Sequence, residues 1–166
     1  AQQCGITKFH AIVAGGSTRQ ESVMCGLRAL SKGTTMIAVH DGARPLVKPE
    51  HIAQVIRDAS VFGGATLGVP VKDTIKVVND HLIVDTPYRP HLFITQTPQV
   101  FKRQLYFEAV TFAEEHALDF TDDCQLIEAI NCKVYMTEGD YTNIKITTPE
   151  DIAIAEILLA RQKEEA

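Results

Sequence analysis

The chain has 166 residues, enough for one domain with its own hydrophobic core. Hydrophobic residues make up 45% and charged residues 22%, the balance of a soluble globular protein, and no apolar run approaches the ~18 residues a membrane span needs. The formal net charge of −5 argues against a non-specific grip on nucleic acid, while a small anionic ligand would need only a few local cations.

The N-terminus, Ala1-Gln2-Gln3-Cys4-Gly5, has no basic stretch followed by an apolar one and does not read as a signal peptide. Cys4, Cys25, Cys124 and Cys132 are scattered singly, with no Cys-x-x-Cys pair and no matching histidine spacing. They read as free thiols in a reducing cytoplasm rather than as a zinc site.

Phe9–Ala14 is a short apolar run that predicts a buried strand, ended by Gly15-Gly16. Val23, Leu27 and Leu30 recur at helical spacing after it, with Ser17 or Thr18 available as N-cap. Thr35–Val39 predicts a second buried strand that runs into His40-Asp41-Gly42-Ala43-Arg44-Pro45. Pro49 opens a helix with Ile52, Val55 and Ile56 on one face, because proline's missing N–H would lack a partner there anyway. Gly64–Val71 predicts a third strand.

The texture then changes. Thr74–Val78 and Leu82–Val84 flank Asn79-Asp80-His81 and read as a hairpin with a polar tip that projects from the body. Leu92–Ile94 predicts a short strand, Arg103–His116 and Asp122–Ile130 two helices, and Lys133–Thr137 and Asn143–Ile146 two short strands. Thr121 reads as the N-cap of the second of those helices. Thr148-Pro149-Glu150-Asp151 starts a last helix that runs to about Lys163, with Thr148 as cap and Asp151 placed to bond back to its amide.

Strands alternating with helices imply a mostly parallel sheet covered on both faces, and such sheets bind ligands beyond the carboxyl ends of their strands. The loops at Gly15–Arg19, Asp41–Pro45, Val71–Thr74 and Asn143–Thr147 therefore carry the candidate chemistry. Glycines before a helix let a ligand approach the backbone amides, although Gly15-Gly16-Ser17-Thr18-Arg19 alone is equally a plain turn. Asp41 at a strand end suits a ribose hydroxyl or a metal-bound triphosphate, and Arg44 could pair with it or with phosphate. Thr74 with Arg89, and Lys145, offer phosphate donors. Thr121-Asp122-Asp123 could be read as a metal motif, but a capped helix start explains it better.

Taken in order, Gly-Gly-x-x-Arg-x-x-Ser-Val, Val-His-Asp-x-Ala-Arg-Pro, Pro-Val-x-Asp-Thr-Ile-Lys, Thr-Pro-Gln-x-Phe, Thr-Asp-Asp and Asn-Ile-Lys-Ile-Thr-x-Pro-Glu-Asp form one series from about Phe9 to Leu159. The series resembles the 2-C-methyl-D-erythritol 4-phosphate cytidylyltransferases of the non-mevalonate isoprenoid pathway. The resemblance implies a bacterial cytoplasmic enzyme with a Rossmann-like three-layer α/β nucleotidyltransferase fold, mostly parallel in its sheet. Residues 1–166 would form one domain, and 72–88 a protruding β-arm that interlocks a homodimer.

It also implies site roles. Gly16, Ser17 and Ser22 fall at the cytosine of CTP, and Asp41 and Gly42 at the ribose and triphosphate edge. Thr74, Arg89, Thr97, Thr121 and Lys145 fall at the methylerythritol phosphate, with Arg89 and Lys145 positioning the nucleophilic phosphate and Arg89 reaching in from the partner's arm. Magnesium would be held mainly by the triphosphate, with no protein metal site.

Two positions depart from the family's common residues: Ser17 stands in place of Asp, and Gly42 in place of Ala. A larger departure lies at the start. The family opens with a strand, a Gly-rich loop bearing an Arg, a helix bearing a Lys and a further strand, none of which residues 1–8 match. That loop wraps the triphosphate in the family, so the expectation is a truncated or partly ordered form, severely impaired when alone. Ribitol 5-phosphate is the rival substrate, and a non-catalytic nucleotide-binding or dimerisation module the rival from another class. A Rossmann oxidoreductase fails for lack of its glycine fingerprint.

Overall fold

A computed structural model describes residues 5–164. The elements run α1 (Arg19–Arg28), β1 (Met36–Val39), α2 (Pro49–Phe62), β2 (Gly64–Pro70), β3 (Val77–Asn79), β4 (Leu82–Asp85), a 3-10 turn at Arg89–His91, β5 (Phe93–Lys102), α3 (Arg103–Glu115), α4 (Asp123–Ala129), β6 (Tyr135–Glu138) and α5 (Pro149–Glu164). The main sheet has the order β1-β5-β2-β6. β1, β2 and β6 share one direction, and β5 runs against them, antiparallel to both β1 and β2.

Alternation along β5 divides the core into two layers. Phe101 faces the side that holds Ile37 of β1 and Leu27, Tyr106, Ala109 and Ile127, brought by α1, α3 and α4. Val100 faces the other side, with Ala65 and Leu67 of β2 against Val55 and Ala59 of α2. Gly64 sits opposite Phe101, where a Cβ would lie 2.8 Å from that ring, so the missing side chain makes room for a fully buried aromatic.

Several sequence expectations need correction. Phe9–Ala14 is not a strand; it is irregular chain with Ile12 89% exposed. An apolar run becomes a buried strand only beside a hydrogen-bonding partner, and no described residue pairs with this one. Of Leu92–Ile94, Phe93 and Ile94 are only the start of β5, which continues through the polar Thr95-Gln96-Thr97-Pro98 to Lys102, and Leu92 closes the preceding 3-10 turn. Asn143–Ile146 is irregular rather than a strand. The amide of Ile146 donates to the backbone oxygen of Ala43, but the side chain of Asn143, not a ladder, fixes the rest. Cys25, Cys124 and Cys132 are free, and Cys4 lies outside the described residues.

The helix starts follow the caps. Thr18, not Ser17, caps α1, accepting from the amide of Glu21. Asp122, not Thr121, caps α4, accepting from the amide of Gln125. Asp151 accepts from the amides of Thr147 and Thr148 at 2.8 Å each, as the acid at that position predicts. The hairpin of β3 and β4 turns through Asp80 and His81, both with positive φ, the conformation a two-residue hairpin turn requires.

The loop from Asp140 to Thr148 lies irregular over the sheet end, and its anchors are polar. Lys48 pairs with Asp140 at 2.9 Å, Thr142 donates its amide to the same carboxylate, and Gln96 donates to the Asp140 backbone oxygen. Partial burial opposes ionisation of Asp140, but Lys48 and Thr142 outweigh it and hold the pKa at about 2, below the ordinary 3.8. The unfolded chain therefore takes up this proton first as pH falls, and the pair's contribution is present above pH 3.8 and fades between 3.8 and about 2. Lys48→Met should remove about 1 kcal/mol at neutral pH and flatten that acid limb, read from denaturant unfolding across pH.

Candidate active site

Beyond the carboxyl ends of β1 and β2, the turn after β1, the middle of β5, the α4 start and the 143–146 segment enclose one cleft. Its walls are Arg19, Asp41, Arg44, Thr95, Gln96, Thr97, Gln99, Thr121, Asp122 and Lys145.

Asp41 is the electrostatic centre. Its carboxylate lies 3.1 Å from Lys145 Nζ and 3.4 Å from Arg44 Nε. Burial works to raise its pKa, but Lys145 and then Arg44 outweigh burial and hold the carboxyl below the usual range. Arg44 also donates to the backbone oxygen of Asn143 at 2.8 Å, which locks the turn after β1 to the segment that carries Lys145. Asn143 is 1% exposed and donates to the backbone oxygen of Thr97 and the side chain of Gln96.

Behind the cleft wall formed by Arg19, Gln99 and Asp122 lies a buried polar network that spans the chain. Asp123, 1% exposed, pairs with Arg19 and receives the hydroxyl proton of Tyr106. Burial, and then the Asp123 charge, push the Tyr106 phenol far up, so it stays a donor. Gln99 uses both ends of its amide, donating to the Asp122 carboxylate at 3.1 Å and accepting the Asp123 N–H at 2.9 Å. Sequence reasoning passed over this network. Arg19 and Asp123 are 104 positions apart, and the only signal was an acid pair in a helix start.

Beside the cleft, the Gly15–Ser22 turn forms a separate shelf. Ser22 Oγ accepts the Gly16 amide at 3.1 Å and donates to the Thr18 backbone oxygen at 2.9 Å. Glu21 accepts from the amide and hydroxyl of Ser17. A Cβ at Gly16 would meet Glu21 Cβ at 2.3 Å, so glycine is what lets this turn close.

Of the predicted site residues, Asp41, Thr97, Thr121 and Lys145 converge on the cleft. Gly16, Ser17 and Ser22 gather on the shelf, and Gly42 is exposed in the turn beside Asp41. Thr74 and Arg89 do not line the cleft of their own chain. They sit exposed at the base of the hairpin, where Arg89 donates to the Lys72 backbone oxygen at 3.0 Å. That base is braced by Lys72 over the Tyr141 ring at 3.5 Å and by the Tyr141 hydroxyl on Pro70 at 2.7 Å. The metal reading of Thr121-Asp122-Asp123 finds no room, since Asp122 caps α4 and Asp123 is paired.

The chain matches the family described as IspD, 2-C-methyl-D-erythritol 4-phosphate cytidylyltransferase, over residues 2–161. The chain belongs to that family. It is 47% identical over 156 residues to the 2-C-methyl-D-erythritol 4-phosphate cytidylyltransferase of Desulforamulus reducens, covering 93% of this chain and 67% of the relative. The enzyme of the same name from Caldanaerobacter subterraneus is 49% identical over 151 residues, covering 90% of this chain and 66% of the relative. The crystal structure of the Thermus thermophilus enzyme superposes with a TM-score of 0.79 at 38% identity, covering 87% of this chain and 70% of that one. The chain thus spans about two thirds of the length of these cytidylyltransferases. Its mixed sheet between helical layers is the nucleotidyltransferase fold of the family.

Within a cytidylyltransferase framework, the Arg19–Asp123 pair joins the start of α1, and so the shelf, to the first turn of α4 behind the cleft. Arg19→Met leaves a buried carboxylate without its cation and should cost about 3 kcal/mol in denaturant unfolding. Adding Asp123→Asn, which removes the stranded charge, should recover more than half of that loss.

Proposed function

We propose that the protein carrying this chain joins CTP to 2-C-methyl-D-erythritol 4-phosphate, giving the cytidylyl diphosphate ester and pyrophosphate. The convergence of Lys145 and Arg44 on Asp41, beside a glycine shelf, supports this reading. Gly16, Ser17 and Ser22 hold the cytosine, and Asp41 and Gly42 the ribose and triphosphate edge. Thr74, Thr97, Thr121 and Lys145 hold the polyol phosphate, joined by Arg89 of a second copy.

A phosphate oxygen of the polyol attacks the α-phosphorus of CTP in line, the new P–O bond forms, and the bond to the β-phosphate bridging oxygen breaks. Positioning and fixed cations carry most of the rate, because the five-coordinate phosphorus gathers negative charge. Lys145 lies on Asp41 at 3.1 Å in the free site and exchanges that carboxylate for the incoming phosphate. Magnesium does not find a protein cage among the described residues, where no group of three His, Cys, Asp or Glu gathers and Asp41 is already bridged to two cations. An ion arriving with the triphosphate would add charge neutralisation, while the residues named act through their own groups. The free thiols of Cys25, Cys124 and Cys132 fit a reducing cytoplasm, and no helix among the described residues is long and apolar enough to cross a membrane.

In this protein Lys145→Met should lower CTP-dependent pyrophosphate release by about two to three orders of magnitude. Methylerythritol phosphate should turn over well ahead of ribitol 5-phosphate in paired assays. Faster turnover of the ribitol ester would transfer the site to that substrate, and binding of CTP without turnover of either would make it a non-catalytic module.

The hairpin supports a homodimer. Leu82 is 70%, Ile83 63% and Val84 58% exposed, with Ile75, Val77 and Val78 also open, and an isolated two-stranded hairpin has little stability in water. A second copy would cover these side chains, and in the proposed assembly its Arg89 serves this chain's cleft. Leu82→Glu with Ile83→Glu should shift the protein from dimer to monomer in sedimentation and lower turnover in parallel. A variant that stays dimeric at full activity would remove the arm from the assembly.

A further inference from the structure

His40 immediately precedes Asp41 at the end of β1, and its ring takes no part in the ion pairs around that carboxylate. Its two nitrogens meet partners of different kinds. Nε2 lies 3.1 Å from the backbone oxygen of Arg44, and Nδ1 lies 2.9 Å from the hydroxyl oxygen of Thr97. A carbonyl oxygen only accepts, so Nε2 carries a proton; in the neutral ring Nδ1 is then bare and accepts in turn. The Thr97 hydroxyl has one proton and two lone pairs. One lone pair receives the amide of Asp41 at 3.0 Å. The proton goes to His40. What Thr97 still offers is one lone pair, on a residue 7% exposed that lines the cleft.

The turn itself reinforces this order. The Arg44 amide donates to the Asp41 backbone oxygen at 2.9 Å, and the His40 ring meets the Arg44 backbone oxygen, so His40, Asp41 and Arg44 close on one another. Ile146 donates to the Ala43 backbone oxygen at 2.8 Å, which ties the same unit to the Lys145 segment. The position of the ring is therefore set from both sides of the cleft.

We propose that His40, as its neutral Nε2–H tautomer, is a positioning residue that makes the Thr97 hydroxyl an acceptor only, so that Thr97 meets a hydroxyl of the polyol and not its phosphate. A phosphate dianion offers only acceptor oxygens and gains nothing from a bare lone pair, whereas a polyol hydroxyl has a proton to give. The choice of ligand group rests on reading the cleft as the polyol phosphate site; the proton order does not.

Nitrogen-15 NMR of the labelled chain reads the tautomer directly, with His40 assigned by its loss in His40→Asn. A pyrrole-like Nε2 and a pyridine-like Nδ1 are expected, and the reverse pattern overturns the proposal. Calorimetric titration with 2-C-methyl-D-erythritol 4-phosphate reads the consequence. Asparagine sets its amide oxygen where Nδ1 stands, so His40→Asn should bind within about threefold of the parent. His40→Leu leaves the Thr97 proton without its acceptor and should bind about tenfold more weakly. Equal affinity in all three proteins overturns a role for His40 in recognition. Among deoxy analogues of the polyol phosphate, one should bind Thr97→Val as well as it binds the parent. If every analogue loses further affinity on Thr97→Val, Thr97 does not contact a hydroxyl and the proposal falls. A parent chain with the expected tautomer that binds no polyol phosphate supports the proton order and overturns the polyol reading.

Discussion

The structure depends most on the irregularity in the middle of β5. Thr66 pairs with Gln99 and Gly68 with Thr95, so Leu67 alone faces Gln96, Thr97 and Pro98. Such a bulge re-aims side chains that a regular ladder would direct to alternating faces. Here it directs Thr95, Gln96, Thr97 and Gln99 to the cleft while Val100 and Phe101 return to strict alternation and build the two core layers. The same strand is thus the floor of the site and the spine of the core.

A bulge frees backbone groups, and buried ones need partners. The Thr66 hydroxyl takes the Gln96 backbone oxygen at 3.1 Å, and Asn143 takes that of Thr97 at 3.1 Å. Asn143 also receives Arg44 on its own backbone oxygen. The residues that heal the bulge are therefore those that hold the cation loop in place. Satisfying the backbone and arranging Lys145 and Arg44 around Asp41 are one structural act.

Much of this was legible in the sequence where a local rule applies. Pro49, Thr148 and Asp151 announce their helices because capping is decided within one turn. Asp41 and Arg44 were legible because strand ends in an α/β sheet gather at one edge, whereas Lys145 was placed there through a strand that the chain does not form. What was hidden depends on distant partners. Phe9–Ala14 has a strand's composition, yet composition records only a capacity for burial. Thr95-Gln96-Thr97-Pro98 reads as a break because proline and polar residues interrupt strands, and only the partners of Gln96, Thr97 and Gln99 make their burial affordable. The Arg19–Asp123 pair and the ring of His40 leave no periodic trace, since each is defined by a residue brought from another part of the chain.

Gln99 carries a consequence for how this chain can change with time. Its amide gives a hydrogen to one carboxylate and takes one from the neighbouring backbone, so both ends are distinguished. Hydrolysis of that amide to a carboxylic acid alters only one nitrogen to oxygen, too small a change to disturb packing. It would nevertheless set two anions face to face at the start of α4. Shape is preserved and polarity is reversed, so deamidation at this one position is damage that a comparison of side-chain volumes would overlook.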